Sequence, residues 1–379
     1  MSARALAGAA AALLAIVAAW PRPRTEEPAT PPAAADTSFA GLVASLSEPG
    51  GYFDTDNLIS NESSYLHAAN ALDVFARQGG AYIGVGPDQN FSYIGIVRPR
   101  VAFLIDIRRD NLLQHLFFKA VFAQTGDRLA YLCLLLARSC GETEGGEATD
   151  APIEALLAIV DSAGSPPAAL ERARSRIEPT LRSFGVPLDD ADMATIRSIH
   201  QRFADAGLEL RFASHGRAPR PWYPTLRRLL LETDRTGRPR SYLADPTAFD
   251  HVRRMQHDDR IIPVVGDLAG DHALRAIGAE IRRRGLVLTA FYASNVEDYL
   301  IRDGSFADYL DNVRSLPDDG RALIIRSFFH NRTTHPHAVP GYASTQVVQR
   351  IAAMLDDERA SPHRSYFDLA TRNTLTPRP

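Results

Sequence analysis

Lysine is almost missing from this chain. There is one, Lys119, against 41 arginines (42 basic residues less that one). A P-loop needs its lysine inside a Gly-rich turn, and Lys119 lies in the apolar run Leu112–Phe122, so P-loop nucleotide chemistry is excluded. Schiff-base chemistry would have to use the same residue. Cysteine is nearly as scarce, with only Cys133 and Cys140, which supply no metal framework. If the segment Leu129–Ser139 is helical, the two thiols lie roughly 10 Å apart along its axis, beyond the ~7 Å that a disulfide tolerates. Two separate thiols are therefore expected, and a bridge requires the helix to end before Cys140. No apolar run reaches the ~20 residues that span a bilayer. No Gly-x-Ser-x-Gly elbow is present, which argues against an α/β-hydrolase triad. Nor is there a His-Glu-x-x-His helix. The one histidine cluster, His330 to His337, offers at most three ligands, so no metal site is expected. A net charge of −3 provides no basic field, and no nucleic-acid partner is expected. Arg217, Arg220, Trp222, Tyr223, Arg227 and Arg228 mix charge with aromatics, and read as a solvated helix start packing one Trp inward.

What is present begins with a leader. Arg4 precedes fifteen apolar residues, Ala5 to Ala19, with a small-residue cleavage pattern at Val17-Ala18-Ala19. Residues 1–20 read as a signal peptide or membrane anchor and 21–36 as a Pro-rich linker without fixed structure. The protein is then exported or anchored, and meets the membrane only through this segment; a mispredicted start would leave it cytoplasmic.

Residues 37–379 read as one domain. Strand patterns at Ala81–Ile83, Val101–Ile105, Ile261–Val265, Leu286–Phe291 and Ala322–Ile325 alternate with helical patterns. Continuous apolar runs without a polar face imply a mostly parallel sheet covered on both sides, an α/β doubly wound Rossmann-like fold. A mainly helical insertion occupies about 125–260. A helix is expected near Thr345–Leu355 and a strand near Tyr366–Leu369.

Open parallel sheets bind ligands at the carboxyl ends of their strands. After the first strand stand Gly84, Gly86, Asp88, Gln89 and Asn90; after the second, Asp106; after the third, Asp267; after the fourth, Tyr292, Ser294 and Asn295. Asp106 follows Gly84 by 22 residues, the spacing at which a carboxylate meets a ribose diol. The place of a third fingerprint glycine is taken by Gln89. A carboxylate at Asp88 would oppose a pyrophosphate at the helix N-terminus. A phosphate-free cofactor carrying a sulfonium and an amino group escapes that repulsion, which favours S-adenosylmethionine, with Asp267 reading the adenine amino group. Ser294-Asn295 either walls the reaction pocket or caps the following helix. Asn57, Asn61 and Glu62 either fold over the pocket as a lid or belong to a capped surface helix.

The segments Leu46–Phe53, Asp56–Glu62, Gly84–Asn90, Pro263–Asp267 and Tyr292–Glu297 resemble an uncharacterised bacterial family, often exported, with a class I S-adenosylmethionine-dependent methyltransferase-like fold. The resemblance covers roughly residues 37–369. It implies cofactor binding by Gly84, Gly86, Asp88, Asn90, Asp106 and Asp267, catalytic orientation by Tyr292 and Asn295, and a small-molecule substrate facing Ser294, Asn61 and Glu62. The methyl acceptor is left open. The other reading is a non-catalytic exported ligand-binding module on a degenerate Rossmann fold, which full secretion would favour because S-adenosylmethionine is made in the cytoplasm.

Overall fold

The computed structural model describes residues 37–140, 150–215, 217–218, 220–331 and 333–376. The leader at 1–20, the linker at 21–36 and most of the acidic stretch Gly141–Asp150 lie outside the described residues. The described residues fall within one compact unit.

Six strands form one sheet: β1 (Ala81–Val85), β2 (Val101–Asp106), β3 (Ile261–Val265), β4 (Leu288–Ser294), β5 (Leu323–Phe329) and β6 (Ser344–Arg350). Their spatial order is β3-β2-β1-β4-β5-β6. The first five run parallel and β6 pairs antiparallel with β5. The chain is thus α/β with a mostly parallel sheet flanked by helices, as in Rossmann-like folds. β1, β2 and β3 are buried along their length apart from the end of β2, as their unbroken apolar runs imply. The strand order reverses between β1 and β4, which opens a crevice there.

The helical stretch after β2 carries helices Arg128–Leu135, Ile153–Ser162, Pro167–Ser183, Asp190–Ala206, Leu226–Leu230 and Pro246–His257 before β3 begins. Arg128–Leu135, Pro167–Ser183, Asp190–Ala206 and Pro246–His257 pack around Arg109–Ala123, a helix buried on nearly every side. The lone lysine belongs to this packing. Lys119 is buried, pairs with Asp259 at 2.7 Å and lies over the rings of Phe39 and Phe184.

The structure corrects several sequence expectations. Ser344–Arg350 is a strand where the start of a helix was expected; the helix is Ile351–Ala360, directly after it. Thr345, Val347 and Val348 favour the extended form. Gln346 and Gln349, polar residues that do not look like part of a buried strand, are buried: Gln346 accepts from the Ser327 hydroxyl and Gln349 donates to the Leu369 carbonyl. Tyr366–Thr371 is a helix, since the Ser365 side chain accepts from the Asp368 N–H and caps it. β4 starts two residues late because Gly285 (φ +65°) ends the preceding helix in the left-handed form. Cys133 and Cys140 are joined in a disulfide. Their helix stops at Leu135, and Ala137 at φ +50° turns the chain back, bringing the Cα atoms to 6.2 Å. Among the described residues no helix is long and apolar enough to cross a membrane.

Candidate functional site

A cavity of about 390 Å³ opens at the carboxyl edge of the sheet. Its floor is made by the strand ends: Gly86 after β1, Asp106 on β2, Asp267 after β3, Ser294 and Asn295 at β4, and Phe329 on β5. Gly86, Asp106 and Asp267 therefore share one hollow. Asn57, Asn61 and Glu62 line it from the N-terminal segment. That segment is held by backbone bonds to the insertion, Asp56 N–H to Ala213 O (3.0 Å) and His215 N–H to Asp54 O (2.9 Å). The roof is Phe212, Arg217, Arg220, Trp222 and Tyr223 from the insertion. Trp222 does not pack inward as expected. It is 45% exposed at the mouth, with the Arg220 guanidinium 5.2 Å from its ring. Tyr52, 77% exposed, also borders the cavity.

Four of the expected ligand contacts are absent from the cavity lining. Asp88 is buried away from it, its carboxylate accepting from the Tyr242 hydroxyl (3.3 Å). Burial pushes its pKa up to about 6. Asn90 is a staple for the turn. Its amide donates to the carbonyls of Val85 (2.9 Å) and Pro87 (2.8 Å), and its oxygen accepts from the Tyr82 hydroxyl (2.7 Å). Gly84 makes room for that staple rather than for a ligand: a Cβ there would sit 1.9 Å from Asn90 Oδ1. Tyr292 is fully buried beneath the cavity, so it acts only through the neighbours it bonds. The first turn still presents backbone to the cavity at Gly86 (φ +80°). Behind it, the His115 ring donates from Nε2 to the Gly86 carbonyl (2.9 Å), and burial drives this histidine down to about 4, so the ring is neutral.

Asp106 does reach the cavity, and it is not a bare charge. Arg108 donates to both carboxylate oxygens from its side chain (3.1 and 2.8 Å) and to Oδ1 from its backbone (2.9 Å). The same guanidinium donates to the carbonyls of Thr55 (3.0 Å) and Asp56 (3.1 Å), tying the N-terminal wall to β2. Asp267 accepts from the Ala269 N–H, while its own N–H donates to Glu48.

Glu62 is the centre of a buried network that the sequence did not reveal. Its carboxylate accepts from the hydroxyls of Tyr292 (2.7 Å) and Ser294 and from the Gln346 amide (3.0 Å). Gln89 in turn donates to the Tyr292 oxygen (3.1 Å). Burial, followed by the Glu62 charge, raises the Tyr292 phenol well above its ordinary value, so it stays protonated as a donor. Ser294 has φ +53°, a left-handed conformation at a bulge in β4, which directs its hydroxyl to Glu62. Asn295 precedes helix Val296–Asp303 and lines the cavity; its side chain makes no cap bond, and its Oδ1 lies 3.4 Å from the Ser294 hydroxyl.

Acidic groups outnumber basic ones along the lining, with Asp54, Glu62, Asp106, Asp267 and Asp303 against Arg217 and Arg220. Asp54 and Asp106 are paired with Arg217 and Arg108, which leaves Glu62, Asp267 and Asp303 against Arg220. Even without Asp88, the hollow therefore disfavours a polyphosphate. No group of three or more His, Cys, Asp or Glu suited to a metal occurs among the described residues. His335, in the histidine-rich loop, is committed structurally, bonding the Ala370 carbonyl and the His337 N–H.

No match is found among curated proteins. The sequence does match the family described as "Domain of unknown function (DUF7790)" over residues 58–375, which takes in all six strands and the helical insertion, and the chain belongs to that family.

Proposed function

We propose that the cavity binds S-adenosylmethionine and that the chain is a methyltransferase-like protein acting on a small molecule. One observation carries this reading: Gly86, Asp106 and Asp267 border one hollow at the point where the strand order reverses. The hollow has the size of a small-molecule site, and its acidic lining suits a ligand that is neutral or cationic. When bound, S-adenosylmethionine supplies a methyl group on an electrophilic sulfonium. Asp106 would accept from one ribose hydroxyl at its remaining Oδ2 position, and Asp267 from the adenine amino group. Asn61, Ser294 and Asn295 would form the polar wall that orients the acceptor. Alignment is the main catalytic device for such a transfer.

The test is calorimetric titration of the full chain with S-adenosylmethionine and S-adenosylhomocysteine, beside Asp106→Asn. Micromolar binding weakened in the variant is expected; no heat with either compound from folded protein refutes the proposal. The burial of Tyr292 favours a second reading, a non-catalytic binding module, because it removes an expected acceptor-facing phenol from the cavity. Binding without methyl transfer to any of a panel of small amines, phenols and carboxylates would decide for that reading.

A further inference from the structure

Glu62 is 1% exposed, yet no cation among the described residues pairs with it. Where the fold buries a carboxylate for structure it commonly supplies a guanidinium: Glu297 has Arg326, Asp192 has Arg109, and Glu280 has Arg283 and Arg284. Asp88 and Glu232 are also buried without a close ion pair, but neither lines the cavity. Glu62 does. A buried charge is expensive without a counter-charge.

The acceptor count points the same way. A carboxylate offers about four lone-pair sites. On Glu62, Oε2 is used by Tyr292 and Gln346, while Oε1 receives only Ser294. One acceptor position on Oε1 is open. A second open acceptor lies on Gln89, which reaches Glu62 through the Tyr292 hydroxyl. Gln89 is 7% exposed, lines the cavity, and its Oε1 has no partner. Its amide orientation follows from the network: the Tyr292 proton goes to Glu62, so the phenol oxygen must receive, and Gln89 must turn its nitrogen to it. Glu62 and Gln89 are thus joined through one hydroxyl, and each has an acceptor unused.

We propose that Glu62 and the Gln89 side-chain oxygen form the seat for a primary ammonium group of the cavity's ligand. An ammonium brings a compact positive charge and three donors. A divalent metal would need more oxygen ligands than this single carboxylate supplies. The proposal rests on the methyltransferase reading for the identity of the site. The ammonium has two possible sources, the amino-acid end of the cofactor or an amine acceptor.

Two calorimetric arms on the full chain distinguish them. The first compares S-adenosylhomocysteine with 5′-methylthioadenosine, which keeps the nucleoside thioether and lacks the amino-acid end. The second compares 1,4-diaminobutane with 1,4-butanediol, titrated into protein saturated with 5′-methylthioadenosine. One arm should favour the ammonium-bearing probe about tenfold or more, the scale of a hydrogen bond to a charged group. Glu62→Gln should abolish that preference, bringing the affinities for the ammonium-bearing and uncharged probes of that arm together. Preference in the first arm assigns the seat to the cofactor, and in the second to the acceptor. If neither nucleoside binds, the methyltransferase reading falls. The diamine is then titrated into ligand-free protein, where Glu62-dependent binding sustains the seat and its absence overturns it. No preference in either arm for wild-type protein, or a preference that survives Glu62→Gln, also overturns the proposal. Should Glu62→Gln not fold, Gln89→Met replaces it, with a several-fold loss expected and an unchanged preference counting against the seat.

Discussion

The contact between Asp106 and Arg108 makes a sharp test, because one carboxylate is asked to do two jobs. Its side chain is 11% exposed and that of Arg108 8%, so the pair is largely desolvated. Removing one member of such a pair costs about 3–5 kcal/mol, because the other charge is left without its partner. Asp106→Ala should show that full loss in urea denaturation. Asp106→Asn keeps an oxygen for the Arg108 donors, and roughly 2 kcal/mol is expected. Stability alone does not test ribose recognition, because Arg108 also holds the Thr55 and Asp56 carbonyls of the cavity wall. Arg108→Met is therefore the matched control: it loosens the same wall and leaves the carboxylate in place. If Asp106 meets the ribose, Asp106→Asn should weaken S-adenosylhomocysteine about 10- to 150-fold, and Arg108→Met by much less. The reasoning is refuted if Asp106→Asn changes affinity by less than about twofold, or if Arg108→Met weakens binding as much.

Asp88 should leave a signature in the pH dependence of stability. Its folded pKa of about 6 lies above the unfolded value, so its favourable contribution is complete below the unfolded pKa and is lost as pH rises through about 6. Asp88→Asn should therefore be more stable than wild type at pH 8, by up to about 3 kcal/mol, with the gain vanishing near pH 4; parallel stability curves would contradict this. Removing the disulfide by Cys133→Ala with Cys140→Ala should cost about 2–3 kcal/mol for a loop of this length, read by denaturation without reductant. Gly84→Ala should destabilise the fold strongly by displacing Asn90, whereas Gly86→Ala should cost about 1–2 kcal/mol of left-handed strain. Gly86→Ala should act mainly on ligand affinity, and thermal melts with and without S-adenosylhomocysteine separate the two effects.

The central strands were legible because burial on both faces writes itself as an uninterrupted apolar run, as in Val101–Ile105. Their carboxyl ends could then be read in order, and Gly86, Asp106, Asp267, Ser294 and Asn295 do meet at one hollow. What failed depends on direction rather than position. Asp88 and Asn90 lie beside Gly86, and nothing in their spacing says which side chains face down into the protein; Gly84, on β1, is kept small by the side chain of Asn90. β6 was hidden because its buried glutamines pair with groups far away in sequence, Gln346 with Glu62 and Gln349 with the Leu369 carbonyl. The aromatic roof comes from a loop, where no periodicity reports orientation. The disulfide turned on a single left-handed alanine, a conformation that carries no residue signal of its own.

Ser294 invites a comparison across the family. A non-glycine residue in its backbone conformation carries a penalty of about 1–2 kcal/mol that glycine would relieve at once. Drift towards glycine is therefore favoured on stability grounds wherever the hydroxyl has no task. A serine kept at this position holds its hydrogen bond to Glu62 at that cost in folding, whereas a glycine there would relieve the backbone and leave the carboxylate one donor short.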